Sequence, residues 1–383
     1  MSLWKFSCAC ALALAGGLPV CATDSAPESR PAENTVETDT EFAWAPDMLL
    51  TDSGVKFSQQ INRTEWDGAL RFAYFRERYQ PNPDVDGLGY AETIDEDRLS
   101  LLANLRQRVA GPLQLLASAS YYDGYPEYRR VWIANRYRQK YDDPRFPRIR
   151  GYEEPEPKGY GVGAGARWEY VPAQAFAELR LGYQHERTAP GYMDVLFTTP
   201  SGDIDAGALA SRERLDTYSV SLSSENVLTR RVRVLNEFSF ADTTDRNPRF
   251  SYQGSINVAL GERWVARGYG GVSTEQPTFD AHFFGLTLEY EISPTLSLLV
   301  SGRYYRDTGE IENSLPVTSA APPLTSWEAS AGVRWAVGRS TFKLQGGPFW
   351  TDYHPERGIG REFIHLYADR NWGLVQLTWS VQF

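Results

Sequence analysis

The sequence has little cysteine, little histidine and no long apolar run beyond its first residues. Its three cysteines, Cys8, Cys10 and Cys21, all fall within residues 1–22, so the rest of the chain cannot form disulfides or thiolate metal sites. None of the four histidines lies in an H-E-x-x-H motif, and no G-x-S-x-G nucleophile motif is present. We therefore expect no enzyme, no cofactor and no metal site.

Long apolar segments are also missing. After residue 25, no apolar run reaches the roughly 20 residues that a membrane-spanning helix needs. The sequence therefore excludes a helical membrane protein. It does not exclude a barrel, because only every second residue of a barrel strand faces lipid.

Residues 1–22 have the features of a secretory signal peptide. Lys5 supplies the positive charge, residues 6–18 are apolar, and Val20 and Ala22 stand at −3 and −1 for cleavage after Ala22. The alternative is a lipoprotein, in which Cys21 is acylated.

Residues 23–53 are rich in Pro, Ser and Thr and strongly acidic at their start. Such a composition is typical of disorder. We predict an acidic, disordered periplasmic lead-in here, which is also the candidate contact for a periplasmic partner. The structured domain is placed at residues 54–383.

From Trp66 onward, apolar and polar residues alternate in blocks of ten to fourteen. Residues 55–61 alternate weakly and could extend the first strand or add another. Alternation predicts strands with one apolar and one polar face. Between the blocks, short turns that contain Gly or Pro alternate with longer polar loops, as in an up-and-down arrangement. We count about fourteen strands, within a range of 12 to 16. The blocks are 66–78, 96–109, 113–122, 159–170, 175–187, 213–226, 231–241, 249–259, 263–273, 281–292, 295–306, 325–336, 340–351 and 371–383.

The final block shows the pattern most clearly. Trp379, Val381 and Phe383 lie on one face of it, and the sequence stops at that phenylalanine. This strand resembles the last strand of bacterial outer-membrane β-barrel proteins, which commonly ends in Phe and is recognised by the barrel-assembly machinery. The alternative is the terminal strand of a soluble β-sandwich.

The resemblance implies an all-β fold, a transmembrane antiparallel up-and-down β-barrel in the outer membrane of a Gram-negative cell. Both termini would lie in the periplasm. The implied partners are outer-membrane lipid, lipopolysaccharide and the assembly machinery. Aromatic residues at both ends of the apolar faces, such as Trp168 and Tyr160, predict two interfacial girdles.

The inward faces are strongly charged. We count twelve basic against eight acidic positions, inside a chain of net charge −10. One interpretation is an interior salt-bridge lattice; the other is a basic lumen that favours anions or acidic saccharides. The predicted pore-lining residues are Arg71, Arg98, Arg106, Arg167, Arg180, Arg233, Arg263, Arg267, Arg303, Arg334, Glu178, Glu237 and Glu289.

The longest connection, residues 123–158, interleaves arginines with aromatic residues. It could fold inward as a constriction or cover the outer mouth. Arginine with aromatic residues can bind sugars as well as nucleic acid, and we expect no nucleic-acid partner for a surface loop.

The favoured function is an outer-membrane channel of the porin or export type, passing solutes or a polymer, with anionic or saccharide cargo preferred. The alternative is a non-conducting surface or scaffold barrel, such as an adhesin, a receptor or the partner of an envelope complex. The least favoured is an enzyme at the rim using His282 with Asp280, or His354 with Asp352.

Overall fold

The computed structural model describes most of the chain from residue 34 onward. The described residues are 34–79, 92–124, 158–172, 174–188, 192–198, 204–210, 213–244, 246–277, 279–309, 323–354 and 369–383. The signal segment with Cys21 lies outside them, as do residues 23–33 and the loop 123–158 apart from its two ends.

The described secondary structure consists of β-strands. They are β1 (Thr35–Trp44), β2 (Met48–Ile61), β3 (Thr64–Tyr79), β4 (Glu92–Ala110), β5 (Leu113–Gly124), β6 (Lys158–Val171), β7 (Ala175–Thr188), β8 (Tyr192–Thr198), β9 (Ile204–Ala210), β10 (Glu213–Thr229), β11 (Val232–Thr243), β12 (Arg249–Leu260), β13 (Trp264–Glu275), β14 (Phe279–Ser293), β15 (Leu296–Asp307), β16 (Leu324–Val337), β17 (Ser340–Tyr353) and β18 (Arg370–Gln382). Within the described ranges, no helix is long and apolar enough to cross a membrane.

Sixteen of these strands form one closed antiparallel barrel. Each pairs with the next strand of the chain, except that β7 pairs with β10 while β8 and β9 form a separate two-stranded sheet. β1 and β18 close the barrel, in continuous register from Thr35 opposite Gln382 to Trp44 opposite Gly373. Closure leaves no unpaired sheet edge, which a strand structure in hydrocarbon requires.

The strand alternation separates two environments. Large apolar side chains on the outer face remain exposed: Val162 by 54%, Leu181 by 56% and Val300 by 58%. The next residue along β15, Leu299, points inward and is only 3% exposed. An apolar surface around a whole barrel is stable in lipid, so the outer face is a membrane-facing surface.

Aromatic rings border this surface at both ends. Near the short turns, the ring centroids of Trp264 and Tyr290 lie 4.7 Å apart. Near the longer loops, those of Tyr304 and Trp327 lie 4.4 Å apart. The two predicted girdles are present on the outer face.

The two ends of the barrel differ in their connections. At one end the turns are short and use positive φ at Asn62 (57°), Gly111 (50°) and Gly338 (59°). These residue types adopt left-handed conformations at low cost. The backbone N–H of Phe383 donates to the carbonyl of Asn34 at 2.9 Å, at this same end. We call the two ends the short-turn end and the loop end.

The predicted fold class is confirmed, and the strand number is sixteen rather than fourteen. Each predicted block overlaps one barrel strand, and the strands missed are β1 and β2. The prediction of a disordered lead-in over 23–53 was wrong from residue 35 onward. The predicted domain boundary at residue 54 falls inside β2.

The acidic residues of β1 explain this error. Glu37, Asp39 and Glu41 take every second position and face the interior, where Lys56 pairs with Glu37 at 3.0 Å and Arg71 with Asp39 at 2.9 Å. In composition they look like a charged, disordered segment. Their spacing of two was the signal that identifies a strand.

Candidate functional site in the barrel interior

The inner wall carries nearly all of the predicted pore-lining residues. Arg263 is the exception, because it is exposed in the turn before β13, which begins only at Trp264. The residues that face inward are Arg71, Arg98, Arg106, Arg167, Arg180, Arg233, Arg267, Arg303, Arg334, Glu178, Glu237 and Glu289.

Arginines on β3 and β4 form ion pairs with carboxylates one or two strands away. A guanidinium nitrogen of Arg71 lies 2.9 Å from Asp39 on β1 and 3.0 Å from Asp52 on β2. Arg106 lies 2.7 Å from Glu65 on β3. Neighbouring strands hold these partners at fixed lateral positions, so each pair is set by the register.

Arg167 is held from three sides on β6 and β7. It lies 3.9 Å from carboxylate oxygens of Glu169 and Glu178, and its guanidinium carbon is 3.4 Å from the ring centroid of Phe176. Glu178 is 6% exposed and also pairs with Arg180. A buried carboxylate with two cationic neighbours is compensated rather than left isolated.

Further pairs continue the lattice around the barrel. Glu289, 3% exposed, forms an ion pair with Arg267 at 2.8 Å and also pairs with Arg334. Arg303 and Glu328 pair at 2.6 Å, and both side chains are nearly buried.

Two more of the predicted residues also have partners. Arg233 forms an ion pair with Glu225, and Glu237 accepts a hydrogen bond from the side-chain amide of Gln253.

These contacts remove the apparent surplus of inward basic charge. The sequence count left out four acids, Glu37, Asp39, Glu41 and Asp52, and one base, Lys56, because β1 and β2 were not recognised as strands. It also included Arg263, which lies in a turn. The inner wall is therefore a salt-bridge lattice. The inward arginines with a carboxylate neighbour are Arg71, Arg106, Arg167, Arg180, Arg233, Arg267, Arg303 and Arg334.

One side of the interior is filled by side chains. On β15, β17, β18 and β1, exposures are 3% for Leu299, 1% for Phe349, 4% for Trp372, 2% for Leu374 and 5% for Glu41. Bulky apolar groups and buried carboxylates pack together there.

The wall formed by β4, β5 and β6 is different. Ser118 and Ser120 of β5 face inward opposite Gly163 and Gly161 of β6, and we call these four residues the small-residue wall. Leu102 of β4 stands opposite Ser120 and is 43% exposed, although it faces inward with Arg106. Its exposed surface therefore faces open space inside the barrel.

A buried charge cluster joins the two ends of the chain at the loop end. Arg370 of β18 is 5% exposed in its side chain and lies 2.9 Å from Asp47 and 3.1 Å from Glu77. Asp47 belongs to the β1–β2 connection and Glu77 to β3. The sequence interpretation missed Arg370 because its partners are about three hundred residues away.

The histidine and aspartate that the structure brings together were not those suggested by the sequence. His185 Nδ1 lies 2.8 Å from Asp216 Oδ1, and the Tyr183 hydroxyl donates to the same oxygen at 2.8 Å. This cluster lies on the outer face of β7 and β10 near the loop end. Only the strand pairing brings these residues into contact.

The rim histidines considered from the sequence have other neighbours. His282 packs against the ring of Tyr304 with centroids 5.7 Å apart, and His354 Nε2 lies 3.4 Å from Thr325 Oγ1. His365 lies outside the described residues. Among the residues that the structure covers, no group of three His, Cys, Asp or Glu could hold a metal ion.

The predicted assembly residues line the outer face of β18 at the short-turn end. Trp379 is 37% exposed and stacks on Phe342 with centroids 6.4 Å apart. Val381 follows on the same face, and Phe383 is 60% exposed. Their side chains are accessible from the membrane side of the barrel.

Comparison with known proteins supports the fold only. No protein-family model and no curated protein matches the chain. Among solved structures it is similar to CdiB from Acinetobacter baumannii, with 6% identity and a TM-score of 0.53 over 91% of this chain and 60% of that chain. The chain thus spans less than two thirds of CdiB. The Pseudomonas putida toluene transporter TodX matches at 11% identity over 94% of this chain and 92% of that chain, but the TM-score of 0.45 is too low to support a structural relationship. This chain has the closed antiparallel barrel of outer-membrane proteins.

Proposed function

We propose that the protein is an outer-membrane channel that passes small polar solutes along the small-residue wall. The single observation that carries this proposal is the 43% exposure of Leu102 on the inner face. A side chain inside a closed barrel is exposed only where the barrel encloses free space. Sixteen strands also make a barrel wide enough for an aqueous lumen.

The wall chemistry favours uncharged or weakly charged cargo. Serine hydroxyls and backbone groups beside glycine offer hydrogen bonds without a fixed charge. The inward arginines are engaged by carboxylates, as Arg71 and Arg106 show, so the anion preference suggested by the sequence loses its support. A saccharide suits this surface better than a small anion.

The orientation follows the usual arrangement of outer-membrane barrels, with short turns in the periplasm and longer loops outside. The short-turn end, where Asn34 and Phe383 meet, would then face the periplasm. The outward Trp379, Val381 and Phe383 would be presented to the assembly machinery from the membrane side.

A matched pair of tryptophan variants on β5 tests the channel. Ser120→Trp places a large side chain on the inner face, between Leu102 of β4 and Gly161 of β6, which has no side chain. Ala119→Trp adds the same side chain to the lipid-facing side of the same strand. In planar bilayers we expect wild type to conduct with little ion preference, Ser120→Trp to conduct less, and Ala119→Trp to match wild type.

Sugar entry into liposomes, measured by swelling, should follow the same order. Absence of conductance and of swelling in folded wild-type protein would overturn the proposal and favour a surface or scaffold barrel. Equal losses in the two tryptophan variants would show that the small-residue wall does not line the passage. Strong anion selectivity in wild type would restore the basic-lumen hypothesis.

A further inference from the structure

A short polar row interrupts the apolar outer face of the barrel near the middle of β11. Asn236 alternates with the inward Glu237 and therefore points to the lipid side, next to Phe238, which is 55% exposed. In the strand register Ser224 of β10 stands opposite Asn236 on one side, and Gly254 of β12 stands opposite it on the other. We call Ser224, Asn236 and Gly254 the Asn236 row.

The carboxamide of Asn236 is held in place by a tyrosine on the neighbouring strand. The Tyr252 hydroxyl donates a hydrogen bond to Asn236 Oδ1 at 2.9 Å. To reach it, the Tyr252 side chain passes over the bare backbone of Gly254, where an added Cβ would stand 2.8 Å from the hydroxyl oxygen. The glycine therefore leaves the room that this contact needs, and the contact orients the amide.

The other end of the same carboxamide has no partner within the barrel. Among the described residues, none forms a hydrogen bond with Asn236 Nδ2. This nitrogen carries two N–H donors, and Oδ1 can accept a second hydrogen bond beside that of Tyr252. Polar groups that face hydrocarbon without a partner are costly. The Asn236 row therefore favours an occupant that supplies both an acceptor and a donor at this depth.

A second copy of the chain supplies both groups. Two copies inserted in the same direction can be related by a two-fold axis parallel to the membrane normal, which makes the contact isologous. An axis beside β11 sets the two Asn236 side chains against each other. It also sets β10 of one copy against β12 of the other, so that Ser224 faces Gly254. A hydroxymethyl group opposite bare backbone leaves little bulk to hold the two walls apart.

We propose that the Asn236 row is the centre of a two-fold dimer interface within the membrane. Each Asn236 Nδ2 donates to Oδ1 of the other copy, while each Oδ1 keeps its hydrogen bond from Tyr252. Membrane interfaces between helices likewise combine small residues, which allow close approach, with hydrogen bonds between polar side chains. This contact lies on the outside of the barrel. It goes beyond the channel proposal, and the two can fail independently.

The oligomeric state of the full-length protein in detergent tests the interface, measured by analytical ultracentrifugation over a concentration series. Asn236→Leu removes the donor and the acceptor at similar size, and a leucine is stable facing lipid. Val300→Leu is the control, because it changes an outward residue of β15 that is 58% exposed. We expect wild type to dimerise, Asn236→Leu to dimerise at least about tenfold more weakly, and Val300→Leu to match wild type.

Three outcomes of the centrifugation would overturn the proposal. The first is wild-type protein that stays monomeric at every concentration. The second is a trimer, because a reciprocal pair of amides closes with two copies. The third is an Asn236→Leu variant that has normal heat-modifiable migration and dimerises as tightly as wild type.

Cross-linking in outer membranes tests the same contact without detergent. The chain has no cysteine after residue 21, so a single introduced thiol can be followed. With a short bis-maleimide, Ser224→Cys should give a covalent dimer, whereas Val300→Cys should not. Adding Asn236→Leu to Ser224→Cys should lower the yield. Equal yields from Ser224→Cys and Val300→Cys, or a cross-link from Ser224→Cys to a different protein, would refute a second copy as the occupant.

Discussion

Arginine substitutions at two adjacent residues of β5 test the assignment of the two barrel faces. Ala117 is exposed on the outer face, opposite Ala164, and Ser118 is half-buried on the inner face, opposite Gly163. Both side chains are small, and the residues lie at nearly the same depth. Along the outer face of β5, Ala117 stands midway between Leu113 and Tyr121, so it lies near the centre of the membrane span.

The expected costs differ because the two guanidinium groups would meet different solvents. At Ala117 the charge faces lipid at mid-depth, which costs roughly 2–4 kcal/mol. That cost lowers the ratio of folded to unfolded protein about 30- to 1,000-fold. At Ser118 the side chain extends over Gly163 into the aqueous lumen, and we expect a change within about 0.5 kcal/mol, as for surface substitutions.

Urea titrations of refolding into phospholipid vesicles, followed by heat-modifiable migration, measure both costs. Ala117→Leu is the control for added volume, since it enlarges the same outward side chain without charge and should leave stability unchanged or slightly raised. Equal costs for Ala117→Arg and Ser118→Arg, or a larger cost at Ser118, would refute the face assignment on β5.

Two further predictions concern assembly and the charge cluster at the loop end. Deleting Phe383, or changing it to Asp, should lower the amount of folded, heat-modifiable protein in the outer membrane; unchanged amounts would contradict its role in recognition. Arg370→Gln should destabilise the barrel by about 3–5 kcal/mol in the same urea titration, because it breaks the buried ion pair between Arg370 and Glu77, which is 2% exposed. The double variant Arg370→Gln/Glu77→Gln should recover part of that loss, and no recovery would show that the pair is not the cause.

The outer face of the fourteen recognised strands was predictable residue by residue. Alternation of the kind seen around Val162 and Val300 places apolar groups outward, and lipid exposure requires nothing from distant parts of the chain. The girdles and the short turns at Gly111 and Gly338 are equally local signals. For this reason the fold class followed from the pattern, and every predicted block overlaps a strand.

The inner face was only partly predictable. The alternation of side chains along a strand shows that Arg71 points inward, but it does not show which carboxylates contact Arg71. Its partner Asp39 lies on β1, which was predicted to be disordered because of its acidic composition. The same omission made the lumen look basic, and a prediction of anion preference rested on that count.

The sequence by itself determined the fold class, the two faces of the fourteen recognised strands and the positions of the aromatic girdles, because alternation and turn chemistry act over a few residues. The tertiary structure alone decided which charges neutralise one another and which wall stays open beside Leu102. The physical reason is lateral pairing. A barrel brings together residues from strands far apart in the chain, such as Arg370 and Glu77, and their electrostatic balance exists only once the barrel is closed.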